Sequence, residues 1–318
     1  MSTRDEVFTV RQFRWPRMVL AGLVFLSSAA VVGTSSATGG TPNPTSSAAT
    51  LDRTAPVVSV AGDIACGTTV SGYNGGNGTA TECRQKYTSN LILDSDAVWT
   101  LGDHTYPSTT TEQLNAAYQP TWGRKKSVTF PSPGDHDYRV SAGADYFAYF
   151  GRPPYYSFNI GGWHVISLNS EINQTTNSPQ LAWLRADLAA TRTRCIAAFW
   201  GEARWTSGSK GNNASHDPFW QALYAHQVDL ALVGDTHNYE RFAKMSPSGS
   251  LAANGIRQFV VGTGGRSLDG FPNIQPNSQA RHELFGVLQL TLYPQAYHWE
   301  FIDESRTVRD SGTTTCNR

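Results

Sequence analysis

An excess of charge of either sign is missing: Lys and Arg together number 25, Asp and Glu 25, and the formal net charge is zero. That balance excludes bulk attraction to nucleic acid or an anionic membrane, so any anion bound here must be met by local groups. Cysteine is scarce, at 4, and no two form a CxxC pair, which excludes the usual zinc spacings. Repeats of solenoid length are absent. So is a long apolar run: "MVLAGLVFLSSAAVVG" has 16 residues, short of the roughly 20 that span a bilayer. It follows Arg11, Arg14 and Arg17 and precedes small residues, the order of a secretory signal peptide.

Residues 1–36 are therefore expected to be a signal peptide that directs export, with a retained anchor as the alternative. "TSSATGGTPNPTSSAAT" has almost no apolar side chains, so residues 37–55 read as a flexible linker. Residues 56–318 are left as one domain. In an exported chain an even number of cysteines implies disulfides. Three pairings are possible; the expected one joins Cys66 to Cys83 across a Gly-rich loop and Cys195 to Cys316 at the tail.

What is present is aromatic and glycine-rich: 9 Trp, 13 Tyr and 29 Gly, the composition of a rigid, β-rich globule. Short apolar runs "VVSV", "AVWTL" and "SVTFP" read as buried strands. Between them "TECRQKYTSNLILDS" and "TTEQLNAAYQPTW" read as helices, an α/β order that implies a mainly parallel sheet with helices on its faces. "YYSFNIGGWHVISLNS" is a hairpin turning at Gly161-Gly162. "SPQLAWLRADLAAT" is a helix capped by Ser178, with Leu181, Leu184 and Leu188 on one face. "CIAAFW" and "VDLALVG" are further strands, and the C-terminal segments from "IRQFVVGTGG" onward are antiparallel in character.

Four of these strands end in Gly-Asp: "VVSVAGDIACG", "AVWTLGDHTYP", "VTFPSPGDHDY" and "VDLALVGDTHNYERF" deliver Asp63, Asp103, Asp135 and Asp235. Ligands collect at the carboxyl ends of parallel strands, and glycine lets the backbone turn there. One such Asp would be read as a turn or helix cap. Four together repel unless a cation lies among them, so the pattern predicts a metal site.

This ordered set of motifs resembles the calcineurin-like metallophosphoesterases, and within them a secreted, purple-acid-phosphatase-like branch, over about residues 56–318. The resemblance implies an α/β fold: a two-sheet β-sandwich flanked by helices, with the metal site at the C-terminal strand ends. It assigns a first metal, expected to be iron, to Asp63, Asp103, Tyr106 and His237, with Asp103 bridging. A phenolate beside two carboxylates and an imidazole suits a hard ion such as ferric iron.

The second position departs from the family pattern. Its Asn is Asp135, its strand-end His is Gly201 beside Glu202 in "FWGEARWTSG", and its other His is Asp235; Lys210 stands where relatives often have another histidine. Asp135, Asp235 and Glu202 therefore either hold Mn²⁺, Mg²⁺, Ca²⁺, Zn²⁺ or iron, or one metal alone is bound. Without a second cation, two anions ~4 Å apart repel by roughly 4 kcal/mol at intermediate dielectric, against a phosphate ester. Restoring His at 201 and 235 and Asn at 135 is expected to raise activity and zinc affinity.

By the resemblance, His136 assists the leaving group or the developing charge, its other reading being to hold Asp135 or Asp103 by a hydrogen bond, and Lys210 meets substrate oxygens. Arg204 does the same or pairs with a carboxylate, and Glu240 and Arg241 are read as a buried ion pair. His104, His164, His216, His226, His282 and His298 match no ligand position. The function implied is hydrolysis of a small phosphate ester, of phosphomonoesterase type; the alternative is an impaired single-metal relative acting as a binding or scaffold protein.

Overall fold

Residues 55–318 are described by a computed structural model. The expected signal peptide and all of the linker except Ala55 lie outside the described residues. In chain order the strands are β1 (Val57–Ala61), β2 (Ala65–Cys66), β3 (Ala97–Leu101), β4 (Thr105–Tyr106), β5 (Thr129–Ser132), β6 (Tyr156–Ile160), β7 (Trp163–Ser167) and β8 (Cys195–Glu202). They continue as β9 (Leu230–Gly234), β10 (Tyr239–Met245), β11 (Ile256–Val261), β12 (Ser278–His282), β13 (Gly286–Tyr293), β14 (Ala296–Asp303) and β15 (Val308–Thr315). Helices α1 (Gln85–Thr88), α2 (Thr111–Gln113), α3 (Asp135–Tyr138), α4 (Ala144–Phe150), α5 (Pro179–Ala190) and α6 (Asp217–Ala225) lie between them. Among the described residues no helix is long and apolar enough to cross a membrane.

Two sheets face each other. One has the order β15-β14-β13-β1-β3-β5, the other β12-β10-β11-β9-β8-β7-β6, and β2 pairs separately with β4. Strands β1, β3 and β5 run parallel, as do β7, β8, β9 and β11. The C-terminal region is therefore mixed: β11 is parallel to β9 and antiparallel to β10, while β13, β14 and β15 form the expected antiparallel meander.

Alternation along the strands sets the layers, because successive side chains point to opposite faces. Cys195, Ala197 and Phe199 of β8 join the core shared with Val58, Val60 and Val98 of the other sheet. Ile196, Ala198 and Trp200 instead pack under α5 and α6, against Leu181, Leu184, Leu188, Phe219 and Leu223. Across the inter-sheet core Trp99 stacks on Phe199, with centroids 5.6 Å apart and planes at 7°. Ser178 caps α5 as expected, accepting from the Leu181 N–H.

Two expected helices are much shorter than their sequence windows. Only Gln85–Thr88 is α-helical in the first, because Cys83 is held at φ 62° and its N–H, with that of Arg84, is tied to the loop after β11. In the second, Thr110 caps α2 and the chain widens into a π-turn over Leu114–Tyr118 before Pro120. Both expected disulfides form, Cys66–Cys83 and Cys195–Cys316.

Candidate metal centre

Asp63, Asp103 and Asp135 follow β1, β3 and β5 of one sheet, whereas Asp235 follows β9 of the other. The sheets meet at this rim: Gly62 donates its N–H to Val261 O, and Asp235 donates its backbone N–H to Asp63 Oδ2 at 2.9 Å. Asp63, Asp103 and Asp235 adopt φ of 57°, 54° and 64°. That left-handed conformation is rare outside Gly, Asn and Asp, and it aims each carboxylate back over its strand end. Asp135 differs, opening the short helix α3.

Four of the expected ligands converge. Tyr106 Oη lies 2.6 Å from Asp63 Oδ1, 2.6 Å from Asp103 Oδ2 and 3.0 Å from His237 Nε2. His237 Nε2 is also 3.2 Å from Asp63 Oδ1. The two carboxylates are buried, Asp63 completely. Burial, then the charges of Asp63, Asp135 and Asp137, hold the Asp103 carboxyl well above the usual range. Burial and the charges of Asp103 and Asp63 push the Tyr106 phenol up as well. Burial opposes charging His237, yet Asp63, together with Asp269 and Asp235, raises that imidazole.

A single O–H proton cannot satisfy two buried carboxylates fully, and two carboxylates, a phenol and an imidazole are the donor set of a hard, highly charged cation. The first set fits a metal. Its support comes from residues that motif matching did not single out. Ser267 Oγ lies 2.8 Å from His237 Nδ1 and fixes the ring. Asp137, fully buried, accepts the backbone N–H of Asp103, His104 and Gly134 at 2.9, 3.1 and 2.9 Å. It thereby locks the second and third Gly-Asp loops together. "GDHDY" contains Asp137 in plain view; only its partners were hidden.

The second set is arranged differently. Asp135 Oδ2 accepts from Arg139 at 2.9 Å, while its Oδ1 is buried without a hydrogen-bond partner. Asp235 Oδ1 accepts from Lys210 Nζ at 3.0 Å. Burial and then Asp63 push the Asp235 carboxyl up to about 6, with Lys210 pulling the other way. Glu202 Oε2 takes Asn213 Nδ2 at 2.9 Å and lies 3.1 Å from His216 Nε2. Asp135, Glu202, Lys210 and Asp235 line one cavity of about 250 Å³.

Gly201 brings no donor, and a Cβ there would lie 2.8 Å from both Pro133 O and Ser170 Oγ. The expected gain from a histidine at 201 therefore meets a steric obstacle that the sequence did not reveal. Two of its carboxylates, Asp135 and Asp235, already carry cations of the chain, Glu202 is taken by Asn213 and His216, and Gly201 adds no donor, so the second set does not fit a resident metal as the first does.

His136 stands beside the shared ligand. Its backbone N–H donates to Asp103 Oδ1 at 2.9 Å, and its Nδ1–H donates to Pro107 O at 2.7 Å. Nε2 then faces the rim, 4.0 Å from Asp103 Oδ2 and 3.9 Å from Asp135 Oδ1. Burial lowers this imidazole's pKa, although Asp135 opposes the shift. Arg204 pairs with Asp217. The reading of Glu240 and Arg241 as an ion pair is overturned: Arg241 binds Asp310 at 2.7 and 3.0 Å, and Glu240 accepts from the Ser207 N–H and the Ser278 hydroxyl. As adjacent residues on β10 their side chains leave opposite faces of the sheet, so they cannot meet. His104 and His164 bind Asp137 and Asp187 away from the ligand set.

No family model matches the chain. Among curated proteins it is similar to purple acid phosphatase 21 of Arabidopsis thaliana, 28% identical over 176 residues that cover 49% of this chain and 39% of that one. Purple acid phosphatase 15 of the same plant is 26% identical over 205 residues, covering 56% and 38%. The chain thus spans about two fifths of the length of these relatives. Among solved structures, a purple acid phosphatase from yellow lupin (Lupinus luteus) seeds matches with TM-score 0.70 at 19% identity, over 82% of this chain and 53% of that one. GAP50, described as the anchor in the inner membrane complex of Plasmodium, matches with TM-score 0.64 at 13% identity, over 84% and 90%. The expected two-sheet fold is thereby borne out.

Proposed function

We propose that the chain is a calcineurin-like metallophosphoesterase of the purple-acid-phosphatase-like branch, a reading supported by its similarity to purple acid phosphatases, and that it is an exported, metal-dependent phosphohydrolase acting on small phosphate esters, of phosphomonoesterase type. One observation carries this reading: Asp63, Asp103 and His237 gather within 3.0 Å of the Tyr106 hydroxyl. Two disulfides support export, since such bonds persist in oxidising compartments.

A cation held by Asp63, Asp103, Tyr106 and His237 would neutralise phosphoryl charge and acidify a bound water. The chain's own groups do the rest. Lys210, its side chain 52% exposed at the cavity, meets the phosphate oxygens as a mobile positive charge. His136 presents Nε2 toward the same rim, from which it exchanges a proton with the leaving oxygen.

The test is hydrolysis of p-nitrophenyl phosphate by metal-depleted protein resupplied singly with Fe, Zn, Mn, Mg or Ca. Turnover with at least one metal is expected, and no turnover with any would reject the enzyme. A purple or pink iron-loaded protein is expected from a Tyr106–ferric contact. A second reading, a single-metal binding or scaffold protein, is favoured by the engaged carboxylates of the second set. That a protein described as an anchor shares the fold is in keeping with it. Metal binding without turnover would select it.

A further inference from the structure

We propose that the Lys210 ammonium takes the place of the second metal ion, so that the site works with one bound cation and one positive charge carried by the chain. The inference rests on the phosphohydrolase reading for its consequence, but its geometry stands apart. Lys210 Nζ is 3.0 Å from Asp235 Oδ1 and opens onto the cavity that Asp135 also lines. An ammonium has three donors, and Asp135, which lines the same cavity, has its buried Oδ1 without a hydrogen-bond partner.

Several of the other donor places around the cavity are already taken or missing. Gly201 has no side chain and no room for a Cβ. Arg139 occupies Asp135 Oδ2, and Asn213 and His216 occupy Glu202. A divalent ion entering here would face the positive charge of Lys210 and would have to displace it from Asp235. The ammonium instead neutralises Asp235 and leaves its remaining protons for a phosphate oxygen. Its four-carbon stem lets the charge follow the substrate, which a coordinated ion does not do.

Metal-depleted full-length protein titrated with Mn²⁺ alone, followed by electron paramagnetic resonance and elemental analysis, tests this. One Mn²⁺ per chain with an isolated six-line signal is expected for the wild type. Lys210→Met should admit a second Mn²⁺ with an exchange-coupled signal. Lys210→Arg should restore a single equivalent. For p-nitrophenyl phosphate, kcat/KM at one metal per chain should fall roughly 100-fold in Lys210→Met, as when one preorganised donor is lost. Two Mn²⁺ per wild-type chain, or a Lys210→Met count equal to wild type, would overturn the proposal. If the counts change as expected while no form hydrolyses the ester, the lysine assignment stands and the hydrolase reading fails.

Discussion

Two halves of one rim treat buried charge in opposite ways. Around Tyr106, Asp63 and Asp103 meet a phenol, an imidazole and backbone N–H groups, but neither a lysine nor an arginine. Around the cavity, Asp135 has Arg139 and Asp235 has Lys210. On the proposed reading the first half takes a cation from solution, because two buried carboxylates share a single phenol O–H and one imidazole. The second half brings its cations with it. Strand-end aspartates alone therefore do not define a metal site; what matters is whether the chain also supplies the countercharge.

Asp103 lies on the border of the two halves, so its loss should have the largest effect. Asp103→Ala is expected to abolish metal binding and to lower p-nitrophenyl phosphate hydrolysis by more than the ~100-fold of an outer-shell loss; metal retained at one equivalent would break the contrast. Asp137→Ala removes a buried carboxylate that joins two loops beneath both halves. Urea unfolding in the presence of chelator should report a loss of roughly 3–5 kcal/mol, the range for breaking a buried charged network.

Gly201→His comes next. Overpacking against Pro133 O should cost about 1–3 kcal/mol and add no zinc equivalent, measured by denaturation and elemental analysis. A stable variant that gains zinc would restore the metal reading of the second half. Ser267→Ala frees the His237 ring, and a competition titration should find metal affinity lowered by ~10–100-fold.

The smallest effect belongs to the far end of β9, which begins after Asp229 and ends before Asp235. Burial pushes Asp229 up to about 6 from 3.8, against the N–H donors of Ile196 and Asn317. A carboxyl whose folded value is raised contributes stability that is complete below its unfolded value and is lost as pH rises through its folded value. The wild type should therefore lose stability relative to Asp229→Asn between pH 3.8 and about 6. Parallel stability curves would show that this end of the strand does not titrate as its burial implies.

Much of this was legible because it is local. Ser178 before Pro179, Gly161-Gly162 between two apolar runs, and the repeated Gly-Asp after strands each act through a few neighbouring residues. The short α1 was not legible, since the contacts that limit it come from Arg266 and Gly265, far along the chain. Nor was the fate of Glu240 and Arg241: adjacency suggested a pair, while strand pleating sends one to Ser207 and the other to Asp310. Ser267 carried no sequence signal beyond its place after "VVGTGG".

By itself the sequence determined where carboxylates, phenol and imidazole would stand along the chain, because strand ends and glycine turns follow from short-range pattern. Only the tertiary structure decided which of those carboxylates would be neutralised from within. Lys210 and Asp235 are 25 residues apart, and Tyr106 and His237 are 131 apart. Their partnerships exist because two sheets bring their strand ends to one rim, and electrostatic attraction acts on distance in space, not along the chain.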